Sequence, residues 1–299
     1  MIRIGYACIN TKLDPPNRTC RLKNATPEKI VELASANVAA LQPILEWNAA
    51  HGIELFRITS DLIPFGSHPV NSVSWWRILK PEFERLGRFI VNKGLRVSMH
   101  PGQFTILNSP RREVVANSVK ELEYHTAVLD ALGVDKRHKI VIHLGGIYQD
   151  KGASLGRFIE NCKKLEPGIR ARLVIENDER CYTVADALGA SKAIGVPVVF
   201  DVFHHIWNPA LEALPVRSIV ELAAKTWRKR DGRAKIHYSN QWPGGPPGAH
   251  SKSINVGKFL QFYDTIHDLD LDIMLEVKDK EQSVLKLLQA LRARQLCAA

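Results

Sequence analysis

The chain is short of the motifs that would mark most familiar chemistries. Its five cysteines (Cys8, Cys20, Cys162, Cys181 and Cys297) are scattered and odd in number, and none are spaced CxxC. That argues against a four-cysteine zinc site and a disulfide framework, and predicts free thiols in a reducing cytoplasm. No apolar run reaches roughly 18 residues, so no membrane-spanning segment is expected. The opening residues carry no charged segment followed by a long apolar stretch, so no secretory signal is expected. No GxGxxG follows the first strand-like run, which weakens a dinucleotide fold and predicts no nucleotide cofactor. No GxSxG elbow is present to carry a serine nucleophile. There is also no low-complexity tract, long linker or short repeat.

What is present is an alternation. Short, β-branched-rich apolar runs at 2–8, 53–59, 95–99, 139–143, 172–176, 196–201, 234–237 and 271–276 read as strands. Amphipathic segments near 27–50, 75–93, 111–132, 154–165, 182–194, 210–229, 255–267 and 279–294 read as helices. Eight βα units in succession predict a (β/α)8 TIM barrel, taken as one domain over 1–299, with a doubly wound sheet as the competitor. With 45% hydrophobic residues, the 299-residue chain can fill one such core. Helix-start and helix-stop chemistry agrees with this register. Thr26-Pro27-Glu28 offers a cap, a proline in the first turn and an acidic residue. Ser109-Pro110 resembles it, and Gly52, Gly94 and Gly133 stand where left-handed C-caps belong.

In a parallel barrel all strand C-termini meet at one face, where barrel active sites sit. Here that face collects His100, His143, Glu176, Asp201, His237 and Glu276 at successive strand ends, with His204 just after strand 6 and His250 in the loop after strand 7. Imidazoles and carboxylates converging on one mouth suit zinc or manganese, with a carboxylate able to bridge. Taken singly, each has a plainer reading: Glu176 could pair with Arg172, and Asp201 could cap the next turn. His51, His125, His138 and His267 fall on helices or helix ends and are expected to be structural. His205 is expected to point away from His204, and Trp75-Trp76 to pack. The net charge of +10 suits a polyanion, because lysines and arginines that neutralise phosphates release condensed counterions.

The strings SMHPGQF (98–104), VIHLGG (141–146), LVIENDE (173–179), VVFDVFHH (198–205), KIHYS (235–239) and IMLEVKDKE (273–281), with IGYACIN (4–10) and TSDLIPFGSHP (59–69), resemble the UV damage endonuclease family over about residues 1–290. The family is a xylose isomerase-like barrel related to endonuclease IV. Its members nick DNA immediately 5′ of UV photoproducts and some other lesions, leaving a 3′ hydroxyl and a 5′ phosphate. The resemblance implies a double-stranded DNA substrate carrying UV lesions; separately, a monomer is expected. The resemblance also implies up to three divalent ions, Mn2+ first, with Zn2+, Mg2+ or Co2+ as alternatives.

By the same resemblance, His100, His143 and Glu176 would hold one ion. Glu176, as the catalytic bridge, would share a second with Asp201, His237 and Glu276, and His204 and His250 would hold a third. Endonuclease IV places an acidic ligand two residues before the histidine matching His250, where this chain has Gly248. Lys235 matches a catalytic lysine that the family can carboxylate; an unmodified lysine paired with a carboxylate is the alternative. Gln103 and Phe104 match a dipeptide that enters the duplex opposite the lesion. The family often has Tyr at the second position, and the plainer reading of Phe104 is a buried loop anchor. Tyr6 and His68 match positions lining a lesion pocket, and Asn10 is expected nearby on the first loop.

Mouth loops should carry the DNA on Lys12, Arg18, Arg21, Lys23, Arg111, Arg112, Lys151, Arg180, Lys252, Lys278 and Lys280. The denser run Lys225, Arg228, Lys229, Arg230 and Arg233 precedes strand 7 and should lie at the opposite end as a solvated helix terminus. An abasic-site nuclease of endonuclease IV type and a metal-dependent sugar isomerase or epimerase are the competing readings. The His204–His250 pair and the basic mouth loops speak against the latter.

Overall fold

A computed structural model describes residues 2–298, leaving out the side chains of Gln295, Cys297 and Ala298. Eight strands lie parallel: β1 Arg3–Cys8, β2 Leu55–Ile58, β3 Arg96–Ser98, β4 Ile140–His143, β5 Leu173–Glu176, β6 Val198–Asp201, β7 Ala234–Tyr238 and β8 Leu271–Leu275. The order β3-β2-β1-β8-β7-β6-β5-β4 leaves one seam, which a parallel bridge between Met99 and Ile140 closes. This is the expected (β/α)8 barrel.

The helices are α1 Pro27–Ala50, α2 Trp75–Ile78, α3 Lys80–Asn92, α4 Arg112–Ala131, α5 Lys151–Lys164, α6 Pro167–Arg172, α7 Val184–Ile194, α8 Val202–Trp207, α9 Val216–Ala224, α10 Val256–Asp264 and α11 Glu281–Ala298. Thr26 accepts from Lys29 N and starts α1 as expected, while Arg111, not Ser109, takes the N-cap of α4. Gly52, Gly94 and Gly133 all have left-handed φ, between 64° and 72°.

Several helix boundaries differ from the sequence reading. The segment 75–93 splits at Leu79, with Pro81 in the first turn of α3, where its missing N–H costs nothing. The segment 210–229 shrinks to α9 because Pro215 cannot sit inside a helix and becomes its N-cap. Two short helices, α6 and α8, fall in segments expected as loops, and α6 also takes in Arg172, expected to open strand 5.

Strand side chains alternate between the helix layer and the barrel interior. Tyr6, Phe56, Ile142, Ile175, Phe200, Ile236 and Ile273 face the helices in one large buried cluster. Inside are two small apolar patches, Ala7–Leu55–Met274 and Val141–Val174–Val199. Gly5 is required where β1 meets β2, since a Cβ there would lie 2.0 Å from the Leu55 carbonyl oxygen.

The barrel floor is ionic. Arg3 grips the buried Asp272 with two hydrogen bonds (2.7 and 2.9 Å), and Arg96 adds one at 2.5 Å. Arg3, Arg96, Arg228, Lys229 and Arg233 also line a cavity of about 760 Å3 beside Gly94 and Gly133. That puts the basic run before β7 at the end away from the strand C-termini, as expected.

Candidate metal centre

Glu176, the last residue of β5, is fully buried at the centre of the mouth. Its two carboxylate oxygens face different partners. Oε2 lies 3.0 Å from His100 Nε2 and 3.6 Å from His143 Nε2. Oε1 lies 2.6 Å from His237 Nδ1, which is itself 3.1 Å from Glu276 Oε1. Among the described residues, three triads have ligand atoms all within 4.8 Å of one another: His100–His143–Glu176, Glu176–His237–Glu276 and Glu176–Asp201–His204. Glu176 belongs to each.

Neither plainer reading of the two acids accounts for them. Arg172 pairs with Asp130 and three backbone carbonyls, not with Glu176. Asp201 does cap α8, but with one oxygen only: Oδ1 accepts from His204 N at 2.7 Å. Its Oδ2 is buried with no hydrogen-bond partner. Asn177 fixes its backbone from both sides, accepting from Asp201 N (2.9 Å) and donating to Asp201 O (3.0 Å). A buried, unpartnered carboxylate oxygen beside imidazole nitrogens is costly unless a cation meets it. This donor set of nitrogens and oxygens therefore fits a divalent metal.

The electrostatics follow from the same packing. Burial pushes the Asp201 carboxyl up to about 7, against the pull of His204. Burial opposes charge on His204, but Asp201, Glu176 and Glu276 outweigh it and raise the imidazole to about 9. Glu176 is buried too, yet His237 and His143, with hydrogen bonds from His100 and His237, hold it well below the usual carboxylate range. Glu276 is lowered despite burial, chiefly by Arg57, whose guanidinium donates to Oε1 at 2.5 Å.

His250 stands beside these triads but outside them. Its ring is 5.9 Å from that of His204, and its Nδ1 is 2.7 Å from Glu276 O. His204 Nδ1 meets Asn177 O at 3.0 Å, which turns Nε2 toward Glu179 Oε2 at 3.8 Å. Glu179 was missed in the sequence, although it ends the string that begins at Leu173. A Cβ on Gly248 would lie 3.6 Å from Glu179 Cγ, so Glu179 brings a carboxylate beside the position where Gly248 provides none. Arg57, buried at the end of β2, was also missed.

Lys235 is fully buried inside β7, and its ammonium donates to Ser98 Oγ at 2.8 Å rather than to a carboxylate. Burial, aided by Arg96, holds it well below the usual lysine range. Gln103 and Phe104 project from the loop after β3. Phe104 is 69% exposed, so it is not a buried anchor. His68 is exposed in the loop after β2.

Tyr6 departs from expectation. It is wholly buried on the α1 side of β1, donating to Asn48 Oδ1 (2.7 Å) and accepting from Asn10 Nδ2 (3.1 Å). Asn10 is buried as well, so the pair braces the first loop and lines no open pocket here. Gln103 instead borders a cavity of about 270 Å3 with His143, Gly145, Glu179 and Arg180.

The other expectations can be placed too. His51, His125, His138 and His267 all hydrogen-bond to backbone groups. Trp75 packs on Phe83 and Tyr124, while Trp76 is about half exposed. Cys8, Cys20, Cys162 and Cys181 are free thiols, and the side chain of Cys297 lies outside the described residues. Among the described residues no helix is long and apolar enough to cross a membrane.

Fold and donors together define a parallel α/β barrel with a candidate metal centre at the mouth formed by its strand C-termini. Comparison with known proteins narrows the class. The family described as UV-endonuclease UvdE matches residues 2–297, and the chain belongs to it. It is 43% identical over 293 residues to a UV DNA damage endonuclease of Clostridium perfringens, covering 97% of this chain and 71% of that one. The crystal structure of SacUVDE superposes with a TM-score of 0.93 at 40% identity over 99% of both chains. A xylose isomerase domain protein from Planctomyces limnophilus shares the fold alone, with a TM-score of 0.55 at 14% identity over 84% of this chain and 91% of that one.

Proposed function

We propose that this chain is a DNA repair endonuclease that nicks the damaged strand on the 5′ side of UV photoproducts, using a multinuclear centre of up to three divalent ions, Mn2+ first. The observation that carries this reading is the division of the Glu176 oxygens between the His100–His143 and His237–Glu276 pairs. His100, His143 and Glu176 would hold one ion, and Glu176, Asp201, His237 and Glu276 a second. His204 and His250 would hold a third, with Glu179 the nearest carboxylate to His204 Nε2. Bound metal would supply an acidified water and charge relief for the scissile phosphate.

The protein's own groups do the rest. Glu176 orients the attacking water between the two donor sets. Asn177 fixes Asp201, and Arg57 holds Glu276 in place. Gln103 and the exposed Phe104 enter the duplex opposite the lesion, where opening costs least because damaged bases stack poorly. Lys235 is suited to carboxylation, since burial keeps its amine uncharged more readily and only a neutral amine adds CO2.

The test is a pair of end-labelled duplexes, one with a single photoproduct and one with an abasic site, each incubated with metal-loaded and EDTA-stripped protein. The expected result is one metal-dependent nick 5′ of the photoproduct with an extendable 3′ end. Cleavage of the abasic duplex alone would favour the endonuclease IV type of activity. No metal-dependent nick in either duplex would refute the reading.

A further inference from the structure

Two lysines at the mouth converge on one indole. Trp242 lies in the loop after β7, and the ammonium groups of Lys278 and Lys252 sit 4.2 and 5.3 Å from its ring centroid. Both distances are within cation–π reach. The lysines come from separate loops, Lys252 two residues past His250 and Lys278 two residues past Glu276. The loops are laced together: Lys278 N donates to Ser251 O at 3.1 Å, and Asp279 N to Lys252 O at 2.8 Å. Trp242 N is pinned on Ala249 O at 2.8 Å. The backbone that carries His250 and Glu276 therefore also sets where both lysine stems begin, and the indole is what their ammonium groups meet. Both lysines are exposed, and among the described residues neither has a carboxylate within ion-pair distance. Two like charges held at one ring repel each other, and a bound anion nearby offsets that cost.

We infer that Lys252, Lys278 and Trp242 form a phosphate clamp that holds the backbone of bound DNA beside the metal centre. The ammonium groups neutralise backbone phosphate, and the indole keeps the two flexible side chains in place. Among the described residues the other cation–ring contacts, such as Lys151 on Tyr182, pair one cation with one ring. The clamp rests on the DNA-substrate reading above.

The test measures affinity for an undamaged duplex between 50 and 200 mM salt, using metal-loaded protein. Lys252→Gln with Lys278→Gln removes the charges and keeps most of each stem. It should reduce the slope of log affinity against log salt by about two, the loss expected for two phosphate contacts. Lys93→Gln with Lys192→Gln, on helix ends away from the mouth, should leave the slope unchanged. Trp242→Leu should weaken binding several-fold although every charge remains, and Trp242→Phe should restore most of it. Melting temperature and metal content identify any variant that has lost its fold; Trp242→Phe then carries the comparison. A wild-type slope in the double lysine variant overturns the clamp. Wild-type affinity in Trp242→Leu overturns the role of the indole. If the wild-type protein binds no duplex at any salt, the DNA-substrate reading fails first, a result distinct from unchanged lysine variants.

Discussion

Replacing Gln103 and Phe104 together by alanine separates lesion recognition from the metal centre. Phe104 is 69% exposed, and the loop is held by contacts the mutation leaves alone: Thr105 N to Gly102 O at 2.9 Å and the His100 ring Nδ1 near Pro101 O at 3.0 Å. No metal-binding candidate and little buried surface is removed, so folding stability should move by no more than about 0.5 kcal/mol. Stacking of an aromatic ring on a base is worth roughly 1–3 kcal/mol, and each 1.4 kcal/mol is tenfold in affinity. Affinity for a photoproduct duplex should therefore fall roughly 5- to 150-fold, and affinity for undamaged duplex much less. Fluorescence anisotropy on both duplexes, with melting temperature and metal content from the same preparation, measures all the quantities. Gly102→Ala probes the same ring: its new Cβ would lie 2.5 Å from Phe104 Cε1, so the ring must move, and a smaller loss in the same direction is expected. Unchanged affinity for the damaged duplex in the double mutant would refute the wedge. A joint loss of melting temperature and metal would show that the loop is structural instead.

Other consequences can be checked independently. Glu176→Gln should lower the cleavage rate by at least a thousandfold while duplex binding persists; a single-turnover rate within tenfold of wild type, about 1.4 kcal/mol, would reject its role. Adding Mn2+ to metal-free protein at pH 7 should release at least one proton, because His204 (about 9) and Asp201 (about 7) must both deprotonate to bind metal. Calorimetry in buffers of different ionisation enthalpy counts those protons, and zero release contradicts the assignment. For the metal-free fold the sign is opposite. Raised His204 stabilises fully below its ordinary 6.5 and loses that contribution as pH rises through about 9, so metal-free melting temperature should fall over that window. Gly5→Ala should cost about 3 kcal/mol or more, or prevent folding, because its Cβ meets the Leu55 backbone; an unchanged urea midpoint would contradict the packing of β1 on β2.

The barrel was legible because parallel strands buried on both faces read as short apolar runs, each followed by an amphipathic segment. The six strand-end histidines and acids were legible for the same reason: once the strands are placed, topology gathers their ends. What failed was local. Tyr6 is one position from the inward-facing Ala7, and a period of two sends its ring to the α1 side, where it meets Asn48. Glu179 reaches the mouth through a loop that no periodicity encodes, whereas Arg57 shares the inward face of β2 with Leu55, so the period of two already places it inside and only its pairing with Glu276 needed the structure. The pairing of Lys252 and Lys278 on Trp242 depends on two loops meeting, which one-dimensional spacing cannot show. Conversely, Phe104 left no such ambiguity in three dimensions, since an anchor cannot be 69% exposed.

The central claim is that Glu176 joins two metal ions. Electron paramagnetic resonance of the Mn2+-loaded protein, with elemental analysis of the same sample, tests it directly. The expected result is more than one ion per chain with the spectrum of an exchange-coupled Mn2+ pair, and loss of that coupling in Glu176→Gln. A fully active sample containing a single isolated Mn2+ per chain would contradict it.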